Sequence, residues 1–490
     1  MRPTIRHVLL VSGLAVIAGC TSGPDYQRPG ASSAATWHEG DGWRQATPDE
    51  LAARGPWWVV FNDPELDALE QQVAVSNQNL RAAEAAWRAA SAALAGSSAS
   101  RLPVVGVDAG VQRSGSGAMP ASEAFGRGGG PQTRDVVSLE GTVSWTPDLW
   151  GRIRRTVESD SAAAQASGAD LAAATLANQA SLATLYVRLR AADEQRALLE
   201  STATANERAL TITRHQLTAG VASRADVLQA EAQVAAVRAQ AVAASITRAQ
   251  AEHAIAVLVG KAPSELSIAV KPGLPALPAV PLVVPSQLLE RRPDIAAAER
   301  RMAAANARIG VAQAAYYPDL TLSGALGFAG SSVGSLIKAS NLVWSLGAQA
   351  GATLFDGGVR DAQVDAARAQ WDEAVATYRQ TVLTTFQQIE DQLVALRLLG
   401  EQAGYQQSAV TASAEAERVA LNQYQAGTIS YSGVILTQNT TRTNRLAALQ
   451  IEADRAAAAV ALIAGLGGGW VAQDPTTLPV KPAAQQADAH

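Results

Sequence analysis

Four segments of the chain alternate between apolar and polar positions with a period of two residues. The apolar positions are Val105, Val107, Ala109 and Val111; Val137, Leu139, Gly141, Val143 and Trp145; Leu320, Leu322, Gly324, Leu326 and Phe328; and Trp344, Leu346, Ala348, Ala350, Ala352 and Leu354. Because successive side chains of a strand point to opposite faces, the pattern predicts four strands with one apolar and one polar face. Their length of about ten residues is typical of strands in outer-membrane barrels.

Four strands are too few to close a barrel, since about eight are the practical minimum. If these strands lie in a membrane, several copies of the chain must contribute to one barrel. The alternative is a soluble antiparallel sheet with one buried face, which would normally need more strands to be stable alone. Aromatic residues at the segment ends favour the membrane, because such side chains lie at the headgroup level. These residues are Trp145, Trp150, Trp344, Tyr316, Tyr317 and Phe355.

Two long stretches without proline, 153 to about 214 and 360 to about 424, are rich in Ala, Leu, Gln, Glu and Arg. Both are predicted to be helices. At 1.5 Å per residue, a helix of about 60 residues spans roughly 90 Å, so it must pack along other helices. Shorter helices are predicted at 63 to about 99 and 292 to about 315, each with proline in its first turn.

An internal repeat organises the chain. Segment 216–223 matches segment 423–430 at an offset of 207 residues, and the same offset pairs Gly151 with Gly358 and Gly260 with Gly467. Such a gapless offset fits one helical hairpin in each half, whereas chance similarity in an alanine-rich sequence is the alternative. An Ala-Gly pair ends each long helix, since glycine adopts the left-handed conformation there. Ser223 and Ser430 are predicted to cap the returning helices, which run to about 258 and 464.

The N-terminus has the pattern of a bacterial lipoprotein signal. Arg2 and Arg6 precede an apolar run at 8–17 that suits a signal peptide but is too short to span a bilayer. Small residues then lead to Cys20, the only cysteine of the chain. A stray or buried thiol is the alternative, but the position favours a lipobox, in which Cys20 carries the acyl chains that anchor the mature protein. Thr21 at the next position resembles an outer-membrane address.

These features predict six parts of the chain. They are a lipoprotein signal peptide (1–19), a lipid-anchored extended segment (20–62), a first repeat (63–263), a proline-rich linker (264–290), a second repeat (291–466) and a C-terminal tail (467–490). Each repeat contains a helix, two strands and a long helical hairpin.

Composition and motifs exclude several classes of function. The net charge of −5 argues against nucleic acid, which needs a basic surface. The mean hydropathy of +0.03 excludes a polytopic helical membrane protein. The five histidines form no pair at a metal-ligand spacing, Gly260-Lys261 lacks the rest of a phosphate-binding loop, and no Gly-x-Ser-x-Gly elbow occurs. We therefore expect no enzyme, no cofactor and no metal site.

Several motifs resemble the TolC-like outer membrane factor family, in the lipoprotein branch (NodT-type) that serves RND-type efflux pumps. In order, they are Trp57-Trp58 with Phe61-Asn62-Asp63-Pro64; Ser144-Trp145-Thr146-Pro147-Asp148-Leu149-Trp150-Gly151-Arg152; Val284-Pro285-Ser286 with Leu289-Glu290-Arg291-Arg292-Pro293-Asp294-Ile295 and Ala298-Glu299; Ile309-Gly310-Val311-Ala312 with Tyr317-Pro318; and Leu354-Phe355-Asp356-Gly357-Gly358. The resemblance covers roughly residues 21–470. It implies an α+β membrane protein and a homotrimer. Three chains with four strands each form one β-barrel, which a long α-helical barrel with helical hairpins and a mixed equatorial region continues into the periplasm.

The resemblance also implies a function and partners. Channels of this family conduct drugs or other small toxic compounds passively across the outer membrane of Gram-negative bacteria, while an inner-membrane RND-type transporter provides the energy. A periplasmic adaptor, or membrane fusion protein, docks on the hairpin tips. The exit duct of a type I protein secretion system is a close variant. A periplasmic coiled-coil scaffold lipoprotein is the alternative from another class.

Site residues follow from the same resemblance. The tips that meet the adaptor correspond to Ala219, Gly220, Val221 and Ser223 in the first hairpin and Ala426, Gly427, Ile429 and Ser430 in the second. Simple turns and caps are the alternative for these positions. Gate candidates are Arg224, Asp226 and Tyr431. Leu436 stands where relatives often carry an aspartate, so an acidic ring from the second hairpin is not expected.

Overall fold

The computed structural model describes residues 22–30, 36–39, 56–116, 132–278 and 291–470. The predicted anchor Cys20 lies outside these ranges. The chain divides into two compact units, and both halves of the sequence contribute to each. The first unit contains residues 1–29, 88–164 and 299–376, and the second contains 30–87, 165–298 and 377–490.

The described residues contain seven α-helices. They are α1 (Pro64–Ser76), α2 (Gln78–Ala99), α3 (Arg152–Thr218), α4 (Arg224–Leu258), α5 (Pro293–Ala314), α6 (Val359–Gln425) and α7 (Tyr431–Gly465). The predicted long helices, returning helices and the helix near 292–315 are thus confirmed. Helices α3 and α6 have 67 residues each, α4 and α7 have 35 each, and their corresponding bounds differ by 207, as 359 − 152 and 431 − 224 give. Within the described ranges, every helix is too short or too polar to cross a membrane.

The single helix predicted from 63 to 99 is wrong, because the structure divides it at Asn77 into α1 and α2. The Asn77 amide donates to the carbonyl oxygen of Leu258 (2.8 Å), at the end of α4, and its side-chain oxygen accepts from the backbone N–H of Leu80 (3.1 Å). Asn77 therefore caps α2 while it binds the first hairpin. A tertiary contact therefore divides the predicted helix at Asn77, and local helix propensity does not encode such a contact.

Two repeat glycines allow close contacts at the ends of the returning helices. Gly260 and Gly467 have φ values of 71° and 96°. A Cβ atom on Gly260 would lie 2.2 Å from the carbonyl oxygen of Ser76, and one on Gly467 would lie 2.2 Å from that of Arg291. Each returning helix thus ends against the backbone of another segment, with room only for glycine.

We expect Gly260→Ala to destabilise the protein more than Gly220→Ala. The two glycines have similar φ values of 71° and 73°, so alanine strains the backbone equally, by about 1–2 kcal/mol. A Cβ at Gly220 would meet nothing within 4 Å, whereas one at Gly260 would overlap Ser76. Thermal unfolding of the two detergent-purified variants measures the difference. Equal losses would mean that the segment around Ser76 yields without cost.

The four strands form one antiparallel sheet in the order β1-β2-β3-β4. They are β1 (Val104–Ser116), β2 (Gln132–Trp145), β3 (Asp319–Gly330) and β4 (Leu342–Gly351). The four predicted strands are confirmed, but the fourth is shorter than predicted, so Ala352 and Leu354 lie beyond its end. In the described part of the chain, β1 and β4 each have one neighbouring strand and leave their other edge open.

The register collects the apolar side chains of all four strands on one face of the sheet. Val105 faces Val143, Val143 faces Gly324, and Gly324 faces Leu346. The opposite face is mainly polar: Asp108 lies opposite Glu140 and accepts a hydrogen bond from the Thr142 hydroxyl (3.0 Å). Among the described residues, nothing covers the outer part of the apolar face, since Val105 is 76% exposed and Leu346 is 81% exposed. In one chain, therefore, the sheet has one apolar and one polar face, and the apolar side chains of its edge strands are exposed.

The main core of the second unit lies around the Trp57-Trp58 motif. Trp57, Trp58 and Phe61 are buried with apolar residues of α1, α3 and α4. Asp63 caps α1 by accepting from the backbone N–H groups of Glu65 and Leu66, and it also accepts from the Tyr186 hydroxyl (2.8 Å). The conspicuous sequence motif before α1 therefore fixes α1 against the long helix α3.

Candidate functional site

The first hairpin of the second unit turns at the predicted Ala-Gly pair. Gly220 has a φ of 73°, and its N–H donates to the carbonyl oxygen of Leu217 (3.0 Å). The N–H of Val221 donates to the carbonyl oxygen of Gln216 (2.8 Å). These two bonds are those of a Schellman motif, which satisfies the last carbonyl groups of a helix and reverses the chain.

Ser223 and Asp226 close the start of α4 by a reciprocal pair of hydrogen bonds. The Ser223 hydroxyl accepts from the backbone N–H of Asp226 (3.1 Å), and the Asp226 carboxylate accepts from the backbone N–H of Ser223 (2.9 Å). The prediction of Ser223 as an N-cap is confirmed. The gate candidate Asp226 thus serves as part of a capping box. Arg224, the neighbouring candidate, is exposed.

The second hairpin repeats the turn but not the cap. Gly427 has a φ of 74°, and the N–H of Thr428 donates to the carbonyl oxygen of Gln423 (2.9 Å). Ser430 occupies the N-cap position of α7 without a side-chain capping bond, and its hydroxyl lies 2.7 Å from that of Ser432. The prediction of Ser430 as the N-cap residue is confirmed, but its side chain makes no capping bond. The first returning helix therefore begins with a side-chain cap, and the second does not.

The gate candidate Tyr431 is buried between helices and does not face solvent. It is 1% exposed and packs against Tyr424, with ring centroids 5.3 Å apart, and against Val434. Burial raises the pKa of its hydroxyl to about 12. Among the described residues the Tyr431 hydroxyl has no hydrogen-bond partner.

Tyr424 joins the two hairpins near their tips. Its hydroxyl donates to the side-chain oxygen of Gln216 and lies 3.2 Å from the buried hydroxyl of Thr213. Ala209 and Ala230 of the first hairpin pack against the same tyrosine pair. The sequence analysis did not predict this role of Tyr424. The available signal was its position three residues before Gly427, in the segment that aligns with Gln216-Leu217 of the first hairpin.

Apolar side chains are exposed at both tips. Val221 is 76% exposed and Leu436 is 69% exposed, and Leu217 and Leu228 are also accessible. Isolated exposed apolar residues are common on soluble proteins. Here they lie at the turns and first coils of both hairpins, as an apolar docking surface requires.

The first unit brings together aromatic residues at the end of the sheet where the helices begin. Trp150 stacks on Tyr317 with ring centroids 4.9 Å apart, and its indole N–H donates to the carbonyl oxygen of Pro318 (2.8 Å). Trp145 donates to the carbonyl oxygen of Arg101 (3.0 Å). This arrangement fits the amphipathic aromatic side chains found at a membrane boundary.

A second feature that sequence reasoning missed is a receptor for residues 22–25. Arg155 is buried and donates to the carbonyl oxygens of Ser22 (3.1 Å) and Gly23 (3.2 Å) and to Asp25 (2.7 Å). A Cβ on Gly23 would lie 2.4 Å from the Cα of Gly310. Gly310 belongs to the Ile309-Gly310-Val311-Ala312 motif. A glycine within the helical pattern of that motif was the available signal for a close backbone approach.

The N–H of Ser22 donates to the carbonyl oxygen of Trp150 (3.1 Å), so the segment begins beside the aromatic residues. The Tyr26 hydroxyl then donates to Glu299 (2.6 Å), and the Asn306 amide donates to the carbonyl oxygen of Pro24 (3.0 Å). Cys20 itself lies outside the described residues. What the structure describes is a tightly held chain that starts two residues after it.

The chain is similar to known proteins in both sequence and fold. Residues 69–261 and 284–468 match the family model described as outer membrane efflux protein. The chain is 30% identical over 463 residues to the probable efflux pump outer membrane protein TtgC of Pseudomonas putida, covering 94% of each chain. It is 30% identical over 474 residues to the pyoverdine export outer membrane protein OpmQ of Pseudomonas aeruginosa, covering 95% of this chain and 98% of OpmQ.

The solved structure of the outer-membrane channel OprN has the same fold. It superposes with a TM-score of 0.85 at 32% identity, over 92% of this chain and all of that one. Sequence and fold agree over nearly the whole described chain. The protein therefore belongs to the outer membrane efflux protein family, and its fold is that of an outer-membrane channel.

Proposed function

We propose that three copies of this chain form the exit channel of a tripartite efflux system, which conducts small toxic compounds passively out of the cell. The observation that carries the proposal is the sheet with one apolar face, one polar face and two open edges. Such a sheet is unstable as the wall of a single soluble chain. It suits one third of a barrel with lipid outside and water inside.

The hairpin tips are the proposed docking surface for a periplasmic adaptor. The exposed apolar residues Val221 and Leu436 support this role, as does the pair of similar turns at Gly220 and Gly427. An inner-membrane transporter of the RND type is the proposed source of energy. The names of TtgC and OpmQ, which refer to efflux and pyoverdine export, support small molecules as cargo over a secreted protein.

The proposed lipid anchor at Cys20 is compatible with the N-terminal receptor. Cys20 precedes Ser22 by two residues, and two residues of extended chain reach at most about 7 Å. Ser22 is bound to the backbone of Trp150, beside the stacked Trp150 and Tyr317 rings. Acyl chains on Cys20 would therefore enter the lipid at the level where aromatic residues meet the headgroups.

Expression in a Gram-negative strain that lacks its own exit channels tests the proposal. We expect heat-modifiable trimers in the outer-membrane fraction and lower accumulation of a fluorescent pump substrate when a matching adaptor and transporter are present. A Cys20→Ala variant tests the anchor separately. A scaffold lipoprotein would leave the membrane when its acyl chains are lost, whereas a barrel would remain. Release of all the protein from the membrane by this variant would contradict the channel.

The gate is a separate proposal that rests on Asp226. We expect Asp226→Ala to raise the single-channel conductance in planar bilayers, because it removes three carboxylates from the hairpin tips of the proposed trimer. Ser223→Ala is the matched control, since it breaks the same capping box but keeps the carboxylate. An unchanged conductance, or the same change in both variants, would leave Asp226 with a capping role only.

A further inference from the structure

We infer that a cleft in the first unit binds the headgroup of a phospholipid that carries both a phosphate and a primary ammonium group. The inference rests on the proposed channel, whose sheet lies in the membrane, and it adds the class of lipid that the protein selects. The cleft has a volume of about 650 Å³, within the range of sites for small ligands. All of its lining residues belong to the first unit. They include Ser22, Tyr316, Tyr317, Asp361, Asp365 and Arg368.

Two features place the cleft at the level of lipid headgroups. Tyr317 lines the cleft and also stacks on Trp150, in the aromatic group at the end of the sheet. Ser22 lines the cleft as well, and it follows the proposed acylated Cys20 by two residues. Strand β3 begins at Asp319, two residues after Tyr317. If the strands span the bilayer, the cleft therefore opens where aromatic side chains meet the headgroups.

Contacts within the chain hold one wall of the cleft in place. The Tyr316 hydroxyl donates to the carboxylate of Asp361. The guanidinium of Arg360 lies over the Tyr316 ring, 5.1 Å from its centroid, and its Nε donates to Asp356 (2.5 Å). The ring and the carboxylate are thus positioned before a ligand binds, which lowers the entropy cost of binding.

The charges of the cleft suit a ligand that carries both signs. Asp365 and Arg368 lie 3.6 Å apart, and both side chains are more than half exposed. Such an exposed ion pair is weak, so each group can exchange its partner for a ligand group of the same charge. An ammonium group fits beside Asp361 and Asp365, where the tyrosine rings also favour a cation. A phosphate fits the guanidinium of Arg368.

The excess of negative charge gives the cleft its selectivity. Asp361 and Asp365 contribute two carboxylates, whereas Arg368 contributes one positive charge. A headgroup with a phosphate alone is repelled by the carboxylate that remains unpaired. An ammonium group on the same headgroup removes this repulsion, so an ethanolamine headgroup is preferred to a glycerol headgroup.

Exposed apolar residues favour a lipid over a soluble compound of the same chemistry. Leu354 and Phe355 are 95% and 88% exposed, and they lie in the connection from β4 to α6. Phe355 directly precedes Asp356, the residue that binds Arg360 at the wall of the cleft. These side chains are available to the acyl chains of a lipid whose headgroup occupies the cleft.

Native mass spectrometry of the acylated, detergent-purified trimer tests the inference. The probes are dioleoyl phosphatidylethanolamine and dioleoyl phosphatidylglycerol. We expect the ethanolamine lipid to bind about tenfold more tightly, because it adds a hydrogen bond between charged groups. The double variant Asp361→Asn/Asp365→Asn keeps the shape of both side chains and removes their charge, so it should bind the two lipids equally.

Asp372→Asn/Glu373→Gln is the matched control. It removes the same two charges from an exposed part of α6 that does not line the cleft, and it should keep the preference. If the cleft variant fails to form trimers, Asp365→Asn alone takes its place, since it leaves the bond between Tyr316 and Asp361 intact. This single variant should also lower the preference.

The outcomes separate this inference from the proposed channel. A preference that is lost in the cleft variant and kept in the control supports the inference. Equal binding of the two lipids to the unaltered trimer, or the same loss in both variants, overturns it and leaves the channel intact. Soluble glycerophosphoethanolamine that binds as tightly as the lipid would also overturn it, because the ligand would then not be a membrane lipid. Absence of trimers in the unaltered protein overturns both proposals.

Discussion

Glu70→Gln is expected to stabilise the protein by about 4 kcal/mol more at pH 8 than at pH 5. Glu70 lies in α1, is fully buried, and neither carboxyl oxygen has a hydrogen-bond partner among the described residues. Burial raises its pKa from 4.5 to about 9. The folded protein therefore holds Glu70 as a neutral acid at neutral pH, whereas the unfolded chain exposes it as a carboxylate.

The sign of the effect follows from the two protonation states. The pKa of Glu70 is higher in the folded protein than in the unfolded chain. The contribution of Glu70 to the unfolding free energy is therefore largest below about pH 4.5. It then falls by about 1.4 kcal/mol per pH unit until about pH 9. Glutamine resembles the protonated acid in shape and carries no proton to lose. The substitution should remove this part of the pH dependence and change little at pH 5.

Thermal unfolding of the detergent-purified protein between pH 5 and pH 8 measures the effect. The difference in melting temperature between Glu70→Gln and the unaltered protein should grow with pH. The exposed Glu401, on α6, offers a control, since Glu401→Gln makes the same substitution at a carboxyl group that is not buried. A constant difference for Glu70→Gln would mean that the carboxyl group gains a partner or water in the folded protein.

Local sequence patterns predicted the elements that local physics determines. Alternation in the four segments predicted the strands and their faces, because the register preserves the period of two in every pair, as at Val105, Val143 and Gly324. Uninterrupted helix formers predicted α3 and α6 to within a few residues. Glycine at the two turns predicted the ends of both long helices, since a left-handed residue follows each of them.

Features that depend on contacts distant in sequence were not predicted. Asn77 ends α1 because it binds the end of α4, and nothing in the residues around it signals that contact. Arg155 would be a surface residue of a helix by composition, yet it is buried under residues 22–25. Tyr431, a gate candidate by resemblance to the family, packs against Tyr424 inside the hairpin pair, and this contact was not predicted.

Ala348→Arg is expected to abolish the outer-membrane trimer, whereas Gln349→Arg should leave it intact. The two residues are neighbours near the middle of β4, both are exposed in the single chain, and they lie on opposite faces. In a bilayer, an arginine on the lipid face near the midplane costs about 2–4 kcal/mol. A trimer carries that cost three times, which makes this the largest effect we expect from one substitution. On the polar face an arginine remains in water and costs little.

The neighbouring positions make this pair a test of the membrane assignment itself. If the sheet were part of a water-soluble scaffold, both arginines would be solvated and the two variants would behave alike. Heat-modifiable trimers in outer-membrane fractions give one readout, and restoration of drug resistance in a strain without exit channels gives the other. We expect Ala348→Arg to match the empty strain in both assays and Gln349→Arg to retain trimers and resistance. Since the two variants add the same charge one residue apart, only the medium on each face of the sheet can separate them.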